Sequence, residues 1–115
     1  MKMHENYLNE FFKSKDNSKK IVNEVIGELN SGISNINNVV CKKYGSDELK
    51  HQICAYENLI KIEKKALSQF KNRFKECNSS KQCENIIYMN TIPIINIIKE
   101  IEEELPKLKK KLKDR

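Results

Sequence analysis

An all-α fold is predicted: an antiparallel up-down-up three-helix bundle with a short N-terminal helix, stapled by two disulfides. Three observations carry this reading. Only 3 Gly and 2 Pro occur in 115 residues, too few for a sheet of many short strands, which needs a turn about every 8–12 residues. Apolar residues recur at alternating spacings of three and four along most of the chain, the period of a helix with one buried face. Four cysteines, Cys41, Cys54, Cys77 and Cys83, flank the two places where that period is interrupted.

A mass of 13.5 kDa allows one domain. Residues 1–17 are a separate N-terminal segment, a short helix or flexible, in which Tyr7, Leu8, Phe11 and Phe12 share one face and Lys13 to Asn17 form a polar break. Residues 18–105 make the helical bundle domain. Its first helix is capped by Ser18 and carries Val22, Ile26, Leu29, Ile33, Ile36 and Val40 on its inner face. Gly27 and Gly32 weaken it by about 1 kcal/mol each relative to Ala, and a bend is expected near Gly32. Gly45, after Tyr44, stands where a helix-ending glycine is usual.

Ser46-Asp47-Glu48 opens the second helix with a cap and acids at the positive end of the dipole. Leu49, Ile53, Tyr56, Ile60, Leu67, Phe70, Phe74 and Cys77 form its seam, with Glu63 the one polar gap. Asn78-Ser79-Ser80 is a turn, and Ser79 with Gln82 resembles a capping box. The third helix carries Cys83, Ile87, Ile94, Ile97, Ile101, Leu105, Leu108 and Leu112. Pro93 predicts a kink within it. Residues 106–115 are a basic helix end or tail, beginning at Pro106.

The bundle selects one disulfide pairing of the three that four cysteines allow. Cys54 and Cys77 lie on one helix, and 23 residues at about 1.5 Å each put them about 35 Å apart, against a limit of about 7 Å. Pairing 41–77 with 54–83 would join opposite ends of the bundle. Only 41–54 with 77–83 remains. Such bridges persist in oxidising compartments, so the expected location is extracytoplasmic (periplasmic, secreted or surface), with any signal peptide lying outside these residues; a cytoplasmic location is the alternative. In size, helicity and sequential pairing the chain resembles insect chemosensory proteins, which are small helical carriers. Both intervals within the bridged pairs are longer here, and no residue role is carried over.

The formal net charge of +6 is concentrated at one end. Lys107, Lys109, Lys110, Lys111, Lys113 and Arg115 face only Asp114 in the last ten residues, and the rest of the chain is near neutral. No aromatic residue accompanies this run, so the signal for nucleic acid is not strong. No run of about 18 apolar residues, the length of a membrane-spanning helix, occurs; Asn90, Thr91 and Asn96 interrupt the longest candidate, Ile86 to Ile98. His51 and Cys54, at i and i+3, are the nearest approach to a metal site or a nucleophile with its base, but no further ligand spacing accompanies them. Glu100, Glu102, Glu103 and Glu104 read as a solvated face. No catalytic residue, metal or cofactor is expected.

The function this composition favours is therefore non-enzymatic: recognition of a protein partner through a helix face. The last helix has more isoleucine than one buried face requires, so Ile95 and Ile98 are the candidate contacts, assisted by Lys107, Lys109, Lys110, Lys111 and Lys113. One alternative is a carrier of a small apolar ligand, which requires an enclosed apolar cavity. Another is a cytosolic helical protein that binds nucleic acid or an acidic partner through the basic tail.

Overall fold

The computed structural model describes the backbone from Lys2 to Arg115 and the side chains from Asn17 onward; the shared face read for Tyr7, Leu8, Phe11 and Phe12 lies outside the described side chains. Three helices account for most of the chain: α1 (Lys2–Asn35), α2 (Glu48–Arg73) and α3 (Lys81–Lys113). A π turn (Ile36–Val40) and a 3-10 turn (Lys42–Tyr44) join α1 to α2, and a 3-10 turn (Phe74–Cys77) leads towards α3. The order is up-down-up, and no strand occurs among the described residues.

Ion pairs along the outside report the register. Glu28 meets Lys65, and Glu24 meets Arg73, which also holds Glu76, so α1 runs antiparallel to α2. Lys64 to Glu102, Glu57 to Lys109 and Asp47 to Arg115 align α3 antiparallel to α2. Exposed pairs of this kind add little stability. The cohesion lies inside, where Ile21, Val25 and Leu29 of α1 meet Ala66 and Phe70 of α2 and Ile87, Ile94 and Ile98 of α3. Each large apolar side chain so buried contributes about 1.5–3 kcal/mol.

Both disulfides close as the bundle requires. Cys41 and Cys54 lie 5.8 Å apart between Cα atoms, and Cys77 and Cys83 lie 5.5 Å apart. Cys54 sits two turns into α2, so an α1 that stayed regular to Tyr44 would hold Cys41 at the wrong height. The chain instead leaves α-geometry after Asn35. The Cys41 N–H donates to the Ile36 carbonyl across the wider π turn at 2.8 Å, and Asn37, Asn38, Val39 and Val40 have little helix propensity to oppose the change.

Local signals near the turns resolve differently from their sequence reading. Ser18 is not a cap: α1 runs unbroken through it, and it is 1% exposed. The polar Lys13–Asn17 stretch likewise does not interrupt α1. Gly45 adopts right-handed helical angles, φ −57° and ψ −27°, so the turn needs no glycine conformation there. The left-handed positions are Asn78 and Ser79. They carry the reversal themselves and pass the cap of α3 to Ser80, whose Oγ accepts from the Cys83 N–H at 3.3 Å. Asp47 does cap α2, accepting from the Lys50 N–H at 3.2 Å. α3 continues through Pro93 and Pro106. The carbonyls these prolines leave unpaired belong to Met89 and Glu102, both exposed residues, so the lost bonds fall on the solvent side of the helix. The basic tail is thus the end of α3 and not a separate element.

Glu63 is the one charged residue in the interior of the described bundle. It is 1% exposed and its Oε2 has no hydrogen-bond partner. Burial pushes its carboxyl above the usual glutamate range, because the charged form loses its hydration.

The folded state therefore holds the Glu63 proton more tightly than the unfolded chain, whose glutamates titrate near about pH 4.3. Between that pH and the raised folded value the native state binds more protons, so this residue lowers stability as pH rises. Denaturant titrations of wild type and Glu63→Gln should show near-equal stability at about pH 4 and a gap favouring the variant that widens towards about pH 7. Glu63→Met should gain about 1–2 kcal/mol at neutral pH. A gap independent of pH would show that the carboxylate is hydrated.

The two helical glycines of α1 should respond unequally to alanine. A Cβ on Gly27 meets nothing within 4 Å, whereas one on Gly32 comes to 3.1 Å from Ile62 Cδ1. Gly27→Ala should add about 0.5–1 kcal/mol, and Gly32→Ala measurably less. Equal gains in thermal melts would mean that Ile62 moves aside freely.

Candidate interaction surface

Among the described residues, the large apolar side chains that remain exposed include two pairs, Phe74 with Tyr88 and Val39 with Val40, and Met89 apart from them. Phe74, Tyr88 and Met89 are 40%, 62% and 62% exposed along α2 and α3. Val39 and Val40 are 66% and 37% exposed at the π turn.

Phe74 and Tyr88 belong to a groove of about 350 Å³ between α2 and α3, lined by Leu67, Phe70, Lys71, Phe74, Ile87, Tyr88, Thr91 and Ile95; Met89 lies outside it, in a separate shallow recess with Ile86 and Asn90. It arises because α1 inserts on one side of the α2–α3 pair. Ile21, Val25 and Leu29 cover that side, and no fourth helix covers the other. Phe70 and Ile87, 0% and 1% exposed, form the floor. Thr91 is the polar residue of the floor, and its hydroxyl donates to the Tyr88 carbonyl at 2.7 Å, which leaves mainly its methyl to face an occupant. Phe74 and Tyr88 stand on the walls, and Lys71 is the charge among the lining residues. Phe74 is exposed because α2 tightens to 3-10 geometry there to bring Cys77 round to Cys83.

Of the residues anticipated as contacts, Ile95 lines this groove. Ile98 does not: it is 8% exposed and lies in the core cluster. The two positions differ by only about 60° around the helix, so they sit on adjacent edges of one face: Ile98 on the edge towards the core cluster and Ile95 on the edge towards the groove. The second apolar stripe of α3 is therefore Tyr88, Thr91 and Ile95, at i, i+3 and i+7. That spacing was present in the sequence, but Tyr88 and Thr91 were hidden by the more numerous isoleucines. The lysines are at the far end of the bundle. Lys107 pairs with Glu104 and Lys109 with Glu57, while Lys110, Lys111 and Lys113 are exposed without an ion pair among the described residues.

Other chemistry is limited by what the cysteines do. Cys54 is bonded to Cys41, so the His51–Cys54 pair offers no thiolate to a metal or a substrate. Among the described residues, no three His, Cys, Asp or Glu side chains converge on one point. Three further recesses, of about 330–520 Å³, are open at the surface like the groove. No described helix is long and apolar enough to cross a membrane.

The groove walls and floor should separate in mutagenesis. Tyr88→Ser removes an exposed side chain and should change stability by no more than about 0.5 kcal/mol. Phe70→Ala empties the floor and should cost about 3–5 kcal/mol. Thermal melts of the two variants check this; a large loss on Tyr88→Ser would make the tyrosine part of the core. Compared with protein-family models, with curated proteins and with solved structures, the chain matches none, so its function is read from this surface chemistry.

Proposed function

We propose that the chain is a non-enzymatic binding protein of an oxidising, extracytoplasmic compartment, and that it takes an amphipathic helix of a protein partner along the α2–α3 groove. The observation that carries this reading is the groove itself, an open apolar channel with Phe74 and Tyr88 standing exposed on its walls. From Ile87 to Ile95 the lining spans nine residues of α3, a rise of about 12 Å. That length accepts two turns of a helix presenting apolar side chains at i, i+3 or i+4, and i+7. Exposed aromatics over a rigid floor supply contact area at little cost in side-chain order. Lys71 on the edge favours a partner helix with an acidic residue beside its apolar stripe. The two closed disulfides support the compartment, since paired cysteines are maintained outside reducing cytoplasm. They favour a periplasmic, secreted or surface protein.

Selection from a library of displayed helical peptides tests the binding mode. Peptides that bind should share the apolar spacing above, and a combined Phe74→Ser and Tyr88→Ser variant should lose at least about tenfold in affinity, a change of about 1.4 kcal/mol, with its melting temperature preserved. Binding unaffected by that variant would place recognition elsewhere. The compartment is tested by mass: protein recovered without reductant should be about 4 Da lighter than after reduction of both bridges. Four free thiols in protein recovered from its native setting would overturn the location.

A further inference from the structure

The second exposed apolar site lies at the opposite end of the bundle from Cys77–Cys83 and has different surroundings. Cys41 is bonded to Cys54, and Cys54, Tyr44 and Leu112 line one recess. The π turn, the start of α2 and the end of α3 therefore form a single pole. Val39 and Val40 project from it, followed by Lys42 and Lys43.

Charge is sorted at this pole. Asp47 is held by Arg115 through two hydrogen bonds, at 2.9 and 3.2 Å, and Glu57 by Lys109. Arg115 also holds the Asp47 carboxyl below the usual aspartate range, so that acid stays ionised and occupied. Lys42, Lys43, Lys110, Lys111 and Lys113 are exposed without an ion pair among the described residues, and only Glu48 and Asp114 oppose them as unpaired acids. The pole thus keeps a positive excess at the same end as an exposed pair of valines.

We propose that this pole docks on an anionic phospholipid surface, with the lysines at the headgroups and Val39 and Val40 reaching the interface between headgroups and chains. Three features favour a bilayer over other polyanions. Single-strand nucleic-acid binders offer aromatic faces to bases, whereas the one aromatic of the turn, Tyr44, is half-buried with the Lys43 ammonium 5.2 Å from its ring centre. Exposed aliphatic side chains gain nothing from phosphate but do gain from the acyl boundary. The end of three helices spaced about 10 Å apart covers only a few hundred square ångströms, well short of the roughly 800 Å² per partner of a stable protein interface. A fluid surface needs no matching pocket and accepts a small convex tip. Basic residues beside such a surface are attracted within about a Debye length. This proposal stands independently of the groove.

Co-sedimentation of the disulfide-bonded chain with vesicles tests it. Vesicles of phosphatidylcholine containing about 30% phosphatidylserine should bind at least about tenfold more tightly than phosphatidylcholine alone, and binding should weaken steeply as salt rises. A Lys110→Gln, Lys111→Gln and Lys113→Gln variant should lose most of this preference. Val39→Asn with Val40→Asn should weaken binding several-fold while leaving the salt dependence in place. Lys42→Gln with Lys43→Gln, away from the end of α3, provides a second charge test should the triple variant fold poorly by circular dichroism. Equal binding to charged and neutral vesicles, or no binding, would overturn the proposal. So would wild-type binding by the valine variant, or tighter binding to a duplex oligonucleotide or polyglutamate than to the charged vesicles.

Discussion

The Cys77–Cys83 bridge is the constraint on which the arrangement of the three helices rests. Both cysteines are 0% exposed and belong to the same apolar cluster as Ile21 of α1, Phe70 of α2 and Ile87 of α3. The covalent link and the core are thus one structure, joined at the point where all three helices meet. Asn17 on α1 reaches across to the Glu76 carbonyl beside it. A loop closed over so few residues adds about 2–3 kcal/mol, chiefly by restricting the unfolded chain. Its position inside the core also fixes how α3 lies against α2. Cys41–Cys54 acts differently. Cys54 is only half-buried, and the bridge fastens an irregular connection to the side of α2.

Glu63 divides these two regions. The buried cluster runs from the Cys77–Cys83 end up to Leu29, Ala66 and Ile98, and the partly buried Ile33, Ile60 and Ile62 packed against it carry apolar contact past Glu63. Ile36, Cys41, Ile53, Ile101 and Leu108 are buried towards the other end but outside that cluster. By the register of Gly32 against Ile62 and Lys64 against Glu102, Glu63 lies at the boundary between them. A buried carboxyl with an unpartnered oxygen weakens cohesion at that level. Beyond Glu63 a second set of buried side chains, Ile36, Ile53, Ile101 and Leu108, lies with the Cys41–Cys54 bridge. The Cys77–Cys83 pole carries the groove, and the other carries the valines and the lysines.

The helical class, the order of elements and the disulfide pairing were legible because each rests on long-range regularity. A period sustained over many residues, and a 23-residue separation that no bridge can span, tolerate local error. What was misread depended on one residue at a time. Ser18 has the chemistry of a cap, but a hydroxyl inside a helix serves as well when neighbouring helices cover it. Gly45 follows a helix, yet the π turn had already ended it. Asn78 and Ser79 accept left-handed angles, which moved the cap to Ser80. The site was legible only as an excess of apolar residues on α3. Which of them faced outward depended on how α1 lies against α3, and an amphipathic pattern with two stripes does not say which stripe is covered. That ambiguity separated Ile95 from Ile98.

The same accounting explains how so small a domain can leave apolar surface uncovered. A chain of this length hides a smaller share of its surface than a larger one and ordinarily needs most of its large apolar side chains inside. Two disulfides together supply stability of about 4–6 kcal/mol, comparable with the whole net stability of many domains. That relieves the core of part of its task. Tyr88, Met89, Phe74, Val39 and Val40 can then stay exposed without unfolding the bundle, and the pairing of Phe74 with Tyr88 and of Val39 with Val40 argues against random leftover hydrophobicity, which scatters singly. If the staples are what permits the exposed groove, reduction should loosen the pole fastened by Cys41–Cys54 first, because its Cys54 side is open to a thiol while Cys77–Cys83 is sealed. The groove, built on the sealed end, would then outlast the loss of the other pole.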